Sequence, residues 1–511
     1  MLLYDVLARA AAEHPGKAAV IFRDAPVTYA QMLDQVNRLA SSLQARGVGA
    51  GDRVAVLLPN CPQFTVTYYA TAALGAVCVP ANPLLKPAEL AHIWGDSSAK
   101  LVVTASPLVA GALEARRAVP CVQEIVCLGA ANEIPAGATN FTDLLATGTP
   151  DPIDGRGLIE QSAAVCIYTS GTTGRPKGAL LSHRNLISNC HSIREFLAFI
   201  PSDNMLCVLP LFHSFAGTVC QNAAIYIGCT VTMLEQFQPG RVLEAVARHR
   251  ITLFVGVPAM YAAALQYASE KSIDTSSVRL AVSGGAPMPV PMIAAVEQRF
   301  GCPLIEGDGP TECSPVTAAN PPTGVRKPGT IGIPVPGVEM RIFGDDDREL
   351  PVGEIGEIVV RGDNVMLGYH NMPEETAEAM RSGWYHTGDL GKVDEDGYYT
   401  IVDRKKDMLI VGGINVYPRE IEALLYTHPA VADVAVVGRY SDLRGEEPVA
   451  VVVLREGAQA TEREIVQFCR KQLANYKVPH DVVFRDALPR NDTGKVLKRL
   501  LRKEMEMETS Q

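Results

Sequence analysis

Between residues 50 and 310 the chain alternates short apolar runs, rich in valine and other β-branched residues, with stretches of helical periodicity. This rhythm restricts the fold more than any other feature of the sequence. VAVLLP (54–59) reads as a strand, PQFTVTYYATAALGA (62–76) as a helix and VCVP (77–80) as the next strand. The pattern returns in NMLCVLP (204–210), CTVTML (229–234), ITLFVGV (251–257) and VRLAVSGG (278–285), with helical stretches such as RVLEAVARHR (241–250) in between. Continuous apolar strands flanked by helices predict parallel sheets covered on both faces. There are enough of them for two such sheets.

The texture changes twice after that. From about 325 to 402 glycine and proline are frequent, and VEMRIF and GEIGEIVV alternate as short strands, which predicts a small barrel. After Asp403, helices such as PREIEALLYTH and EREIVQFCRKQLANY interleave with VADVAVV and EPVAVVVL, predicting a compact α+β unit of about one hundred residues. The charged segment DRKKD (403–407) is the candidate hinge. The expected division is an N-terminal domain over 1–403, with α/β parts at about 1–185 and 186–324 and the barrel at about 325–402, then a C-terminal domain over 404–511. A chain of 511 residues suits about three folding units.

Composition narrows the function. The net charge of −10 argues against nucleic acid as the main partner, because phosphate backbones demand a basic face. No uninterrupted run of 18 apolar residues is present, so no membrane span is expected. The N-terminal MLLYDVLARAAAEHPGK carries Asp5 and Arg9 within its apolar stretch and reads as an amphipathic helix, not a secretory signal. Twelve cysteines are scattered without metal-ligand spacing and read as buried thiols in a reducing, cytoplasmic setting.

The strongest chemical signal is TSGTTGRPKG, from Thr169 to Gly178, directly after the buried-strand pattern AAVCIY (163–168). Its glycines let the backbone approach a ligand, and their amides can point at phosphate oxygens. Thr169, Ser170, Thr172 and Thr173 add hydroxyls around Gly171 and Gly174, and Lys177 adds a cation. It is not a Walker A loop, since Gly174 is followed by Arg-Pro-Lys. Ser182 and Asn185 offer caps for a following helix.

With this loop the sequence resembles the adenylate-forming enzymes, the group that includes acyl-CoA synthetases, firefly luciferase and the adenylation domains of peptide synthetases. The likeness runs from Thr28-Tyr29 through GDRVAVLLPN (51–60) and GAVCVPANP (75–83) to Lys495, nearly the whole chain. It implies a large N-terminal domain of two doubly wound sheets plus a small β-barrel, and a smaller mobile α+β C-terminal domain. It also implies ATP, coenzyme A and a carboxylic acid as substrates, with Mg²⁺ as cofactor.

Carried over by motif, the resemblance assigns residues as follows. Glu312, with Thr169, would hold Mg²⁺, a hard cation that suits oxygen donors. Thr311 would hydrogen-bond the α-phosphate. Gly284, Gly285 and Ala286 of SGGAPMP would pack on adenine, as would Asp308 and Gly309 of DGPTE. Asp308 stands where the family usually has an aromatic ring and cannot stack, so the adenine pocket is built differently or nucleotide affinity is lower. Asp389 of YHTGDLG would hold the ribose hydroxyls, and Arg404 would add a ribose or phosphate contact. Lys495 of PRNDTGK would supply the cation for the first half-reaction, Lys406 the pivot, and the turn with Gly413 the lining of a thiol tunnel. His213 of PLFHSF would gate the carboxylate.

Phe212, Phe215, Val255, Val257 and the 281–286 strand end read as apolar walls for the acid. Among relatives the chain resembles bacterial fatty-acyl-CoA ligases of medium or long chain preference. The alternatives are an aryl acid such as a cinnamate, or a carrier protein as acceptor. A non-catalytic nucleotide binder, motivated by Asp308, is disfavoured by the retained polar residues. The basic stretch VLKRLLRK (496–503) reads as a solvated amphipathic helix, with CoA phosphates or a peripheral lipid surface as alternative partners. A homodimer is compatible with the resemblance.

Overall fold

The computed structural model describes residues 1–153, 157–170, 176–270, 273–441, 444–490 and 495–509. They form two compact units, Met1–Met340 with Val360–Tyr385, and Arg341–Val359 with His386–Gln511.

The first unit holds two large sheets. In one, strands Leu304–Asp308, Leu280–Ser283, Leu253–Gly256, Asn204–Cys207, Thr230–Met233 and Ala18–Phe22 lie side by side in that order, all parallel. Short antiparallel strands extend both edges. In the other, Ala163–Ser170, Val77–Pro80, Arg53–Leu57, Leu101–Ala105, Glu124–Leu128 and Thr139–Asn140 run parallel. Helices Pro62–Ala73, Pro87–Asp96 and Pro239–His249 each begin on a proline, whose missing N–H costs nothing in the first turn. These helices cover strands that are buried from end to end, so the apolar runs need no alternation. The helix Leu3–Glu13 buries Leu3, Val6, Leu7 and Ala10 on one face, and Arg9 reaches the Tyr226 carbonyl at 2.8 Å.

Two local features go beyond the sequence expectations. The segment between AAVCIY and the helix capped by Ser182 contains a strand that the sequence did not announce. Strand Pro176–Ser182 first folds back antiparallel on Ala163–Ser170, placing Thr169 opposite Lys177. Only then does helix His183–Leu197 start, with Ser182 accepting from the Asn185 amide and Asn185 returning the bond, as their cap chemistry predicts. The apolar stretch 205–234 contains a π-helix, Ala216–Ala223. Its polar residues are buried because partners meet them: Thr65 donates to Gln221 at 2.8 Å, and Tyr69 donates to Asn222 at 3.0 Å.

The segment expected as a barrel is divided between the two units, with Arg341–Val359 and the residues from His386 in the second. Strands Val338–Phe343, Gly356–Gly362, Tyr385–Val393 and Tyr399–Arg404 make a four-stranded sheet in that order. A five-stranded sheet follows, built on the long hairpin Val431–Ser441 with Gly445–Leu454. Helices Pro418–Leu425 and Glu462–Arg470 pack Ile421, Leu425, Ile465 and Cys469 against it. The basic stretch forms helix Lys498–Thr509, with Leu501 and Met505 buried. Lys498 pairs with Glu422 at 2.8 Å and Arg502 with Asp407 at 3.7 Å, so two of its cations have acidic partners within the unit.

All twelve cysteines are free thiols, and eleven are fully buried. Among the described residues no helix is long and apolar enough to cross a membrane.

Candidate active site

Parallel strands place their carboxyl ends along one edge, which is where ligands bind in such sheets. Here that edge collects three of the expected segments. Gly256 stands beside Ser283 and Ser283 beside Glu306, so Val257, Gly284–Gly285 and Asp308–Gly309 follow from neighbouring strand ends. Gly285 has φ +76°, a conformation that favours glycine. A Cβ on Gly284 would lie 3.2 Å from the Phe215 ring, and one on Gly285 would lie 3.7 Å from Val257. Ala286 is half-buried just beyond them. Asp308 ends its strand, with its carbonyl taken by the Thr317 amide at 3.0 Å and the Thr317 hydroxyl at 3.2 Å.

The loop after Asn204–Cys207 comes to the same edge. Ser214 and Thr311 hydroxyls are 3.0 Å apart, which joins PLFHSF to the turn bearing Glu312. His213 Nδ1 accepts from the Phe215 amide at 3.2 Å, so the proton of the neutral ring sits on Nε2.

The hairpin of the other sheet supplies the cation. Thr169 Oγ1 lies 3.5 Å from the Lys177 carbonyl. Gly171, Thr172, Thr173 and Gly174, and the side chain of Ser170, lie outside the described residues. Lys177 Nζ stands 5.2 Å from the centroid of the Tyr369 ring, and the Tyr369 hydroxyl donates to Glu312 Oε1 at 2.9 Å. Burial, and then the charge of Glu312, pushes the Tyr369 phenol far above its ordinary value, so it remains a donor. The sequence reading passed over Tyr369. Its only local signal is a tyrosine after glycine in VMLGYHN, and its meaning appears once Gly368–Tyr369 pairs with Leu180 and Ala179. The donor set of Glu312 and Thr169, one carboxylate and one hydroxyl, consists of hard oxygens and fits Mg²⁺, which typically takes one or two carboxylates plus phosphates and water.

The second unit gathers the remaining polar residues. Asp389 and Arg404 are register partners on adjacent strands, with Arg404 Nε 3.1 Å from Asp389 Oδ1. The Asp389 side chain is 9% exposed and that of Arg404 41%, so one is held while the other reaches toward solvent. Behind them lies Glu357, also missed by the sequence reading. It accepts from the Gly388 amide at 3.0 Å and lies 3.2 Å from His386 Nδ1 and 3.5 Å from Lys405 Nζ. Burial alone would raise its carboxyl. The His386, Lys405 and Gly388 partners outweigh burial and hold it below the usual range. Glu357 thereby braces the strand segment that presents Asp389.

Lys495 is half-buried and feels this cluster. Burial first, then the Arg404 cation, pushes its ammonium down to about 8, with Lys406 adding to the effect and Asp389 and Asp407 opposing it. Burial and Arg404 also lower Lys406. Gly413, with φ +81°, sits at the tip of a separate hairpin between Leu409–Val411 and Ile414–Val416.

Residues 7–370 match the AMP-binding enzyme family, and residues 420–495 match the AMP-binding enzyme C-terminal domain. A long-chain-fatty-acid–CoA ligase of Bacillus subtilis (strain 168) is 36% identical, covering 98% of this chain and 94% of that protein. A feruloyl-CoA synthase of Amycolatopsis sp is 39% identical, covering 96% of each. The crystal structure of ATP bound MatB from Rhodopseudomonas palustris superposes with a TM-score of 0.91 at 35% identity, over 99% of both chains. From its two matched domains and these full-length likenesses, the chain belongs to the AMP-binding enzyme family.

Proposed function

We propose that this enzyme joins a medium- or long-chain fatty acid to coenzyme A by way of an acyl-adenylate. Its class is that of an adenylate-forming acid–thiol ligase. One observation supports an apolar acid: apolar side chains stand against the glycine pair at the strand ends. Phe215 lies against Gly284, and Val257 against Gly285. That surface suits an alkyl chain or an aryl ring more than a charged group. The choice of an alkyl chain is supported by the long-chain-fatty-acid–CoA ligase relatives.

In the first half-reaction a carboxylate oxygen of the acid bonds to the α-phosphorus of ATP, and pyrophosphate leaves. Lys177 and the hydroxyls of the hairpin hold the phosphates, and Thr311 donates to the α-phosphate. Glu312 and Thr169 would hold Mg²⁺, which when bound would neutralise phosphate charge. Asp389 and Arg404 hold the ribose, and His213 orients the carboxylate. Lys495 offers a cation to the charge that builds at the α-phosphate. In the second half-reaction the thiol sulfur bonds to the acyl carbon, and AMP leaves with the electron pair. Lys406 is the pivot of the C-terminal domain between the two steps, and the Gly412–Gly413 turn lines the path of the thiol.

A second reading is an aryl acid, favoured by the feruloyl-CoA synthase relative. A panel of octanoate, dodecanoate, palmitate, benzoate and ferulate, scored by CoA thioester formation, separates them. The fatty-acid reading expects kcat/KM for the best alkanoate to exceed that for either aryl acid by about tenfold or more, as differences of several methylenes do in apolar pockets. Turnover of the aryl acids alone overturns it and leaves the aryl reading.

A further inference from the structure

The geometry points to Tyr369 as a positioning residue for adenylation, one side chain that sets both the glutamate and the lysine on which the phosphates of ATP converge. The inference rests on the proposed roles of Glu312 in holding Mg²⁺ and of Lys177 in holding phosphate.

Three independent features carry it. The Tyr369 hydroxyl donates to Glu312 Oε1 at 2.9 Å, across 57 residues of sequence. The face of the same ring receives Lys177, with Nζ 5.2 Å from its centroid. Such a geometry attracts a cation to the ring and limits where the flexible lysine can go. The backbone around Tyr369 then ties both partners into one frame. Met366 N donates to the Glu312 carbonyl at 2.7 Å, Leu367 N to the Leu180 carbonyl at 2.9 Å, and His370 N to the Gly178 carbonyl at 2.7 Å. Asn364 adds a bond to the Cys313 carbonyl at 2.9 Å. The segment 364–370 therefore staples the turn of Glu312, which follows a strand of one sheet, to the strand of Lys177 in the other. Tyr369 is the residue of that staple whose side chain touches both functional groups. A partner that fixes a metal-holding carboxylate from behind alters metal affinity without touching the metal.

The test is calorimetric titration of ATP, without acid or CoA, once with excess Mg²⁺ and once with a chelator. The ratio of the two dissociation constants reports how well the metal is held. Tyr369→Phe keeps the ring and removes the hydroxyl. It is expected to reduce that ratio by about tenfold and to leave the chelator value close to wild type. Tyr369→Leu removes the ring as well and is expected to weaken chelator binding by about threefold in addition. A merely structural tyrosine would lower the melting temperature and weaken both titrations equally, leaving the ratio unchanged. Glu312→Gln separates the two levels of the argument. If it abolishes the ratio while Tyr369→Phe retains it, the positioning role is wrong. If Glu312→Gln itself retains the ratio, the metal assignment fails and the inference fails with it.

Discussion

Lys495→Ala is expected to lower acid-dependent pyrophosphate release by about 100- to 1,000-fold, the cost of removing one preorganised charge donor from a transition state. ATP binding in the same variant should change little, because the cation acts on charge that develops during attack. The surroundings of Lys495 add a pH signature. Burial and the cations Arg404 and Lys406 depress its ammonium to about 8. The protonated form is the acting one, so kcat/KM for adenylation should be level on the acid side and decline as pH rises through about 8. Lys495→Arg tests this without removing the charge. A guanidinium stays protonated far above that range, so the alkaline decline should move upward even if the maximal rate drops through imperfect geometry. Pyrophosphate exchange measured across pH on the three proteins checks both statements. An unchanged alkaline limb in Lys495→Arg would assign the titration to another group.

Gly309→Ala should be nearly as damaging, for a different reason. A methyl group there would lie 2.1 Å from the Pro315 carbonyl oxygen and 2.5 Å from its carbon. Both are backbone atoms, so no rotamer change relieves the clash and the turn itself must move. Thr311 and Glu312 lie two and three residues farther on, and displacing such groups by about 1 Å costs on the order of 100-fold in rate. The same overpacking should destabilise the first unit by about 1–3 kcal/mol. The comparison is Gly284→Ala, whose methyl meets only the Phe215 ring at 3.2 Å, a side chain that can shift. Exchange rates and thermal melts of both variants measure the difference. Equal effects would mean that the turn at Gly309 does not set the geometry of Thr311 and Glu312.

The division between legible and illegible features follows the range of the interactions. VCVP reads as a strand from its own residues, and Val77–Pro80 is that strand, buried along its length. Ser182 announces the start of a helix through a bond only three residues long. Other features depend on partners that no local pattern names. The loop from Thr169 continues into an antiparallel strand because Leu180 and Leu181 find partners in Cys166 and Val165. Gln221 and Asn222 look like interruptions of an apolar stretch until Thr65, Tyr68 and Tyr69 are placed beside them. The basic residues of VLKRLLRK look solvated until Glu422 and Asp407 are brought to Lys498 and Arg502.

The site divides in the same way. Glycines and hydroxyls in TSGTTGRPKG suggest a phosphate cradle by composition alone. Tyr369 touches Glu312, and Glu357 touches Gly388 beside Asp389, across long stretches of chain, and neither carries a motif that chemistry alone would single out. Asp308 is legible as a departure, and its place at the end of strand Leu304–Asp308, with its carbonyl engaged by Thr317, is that of a residue presented at the ligand edge.

The central claim is that the oxygen of an organic acid attacks the α-phosphorus of ATP. Mass spectrometry of the nucleotide released after turnover with an ¹⁸O-labelled carboxylate, ATP and CoA tests it directly. The account predicts AMP carrying one ¹⁸O from the acid, with unlabelled pyrophosphate. Release of ADP, or of AMP without the label, would contradict it.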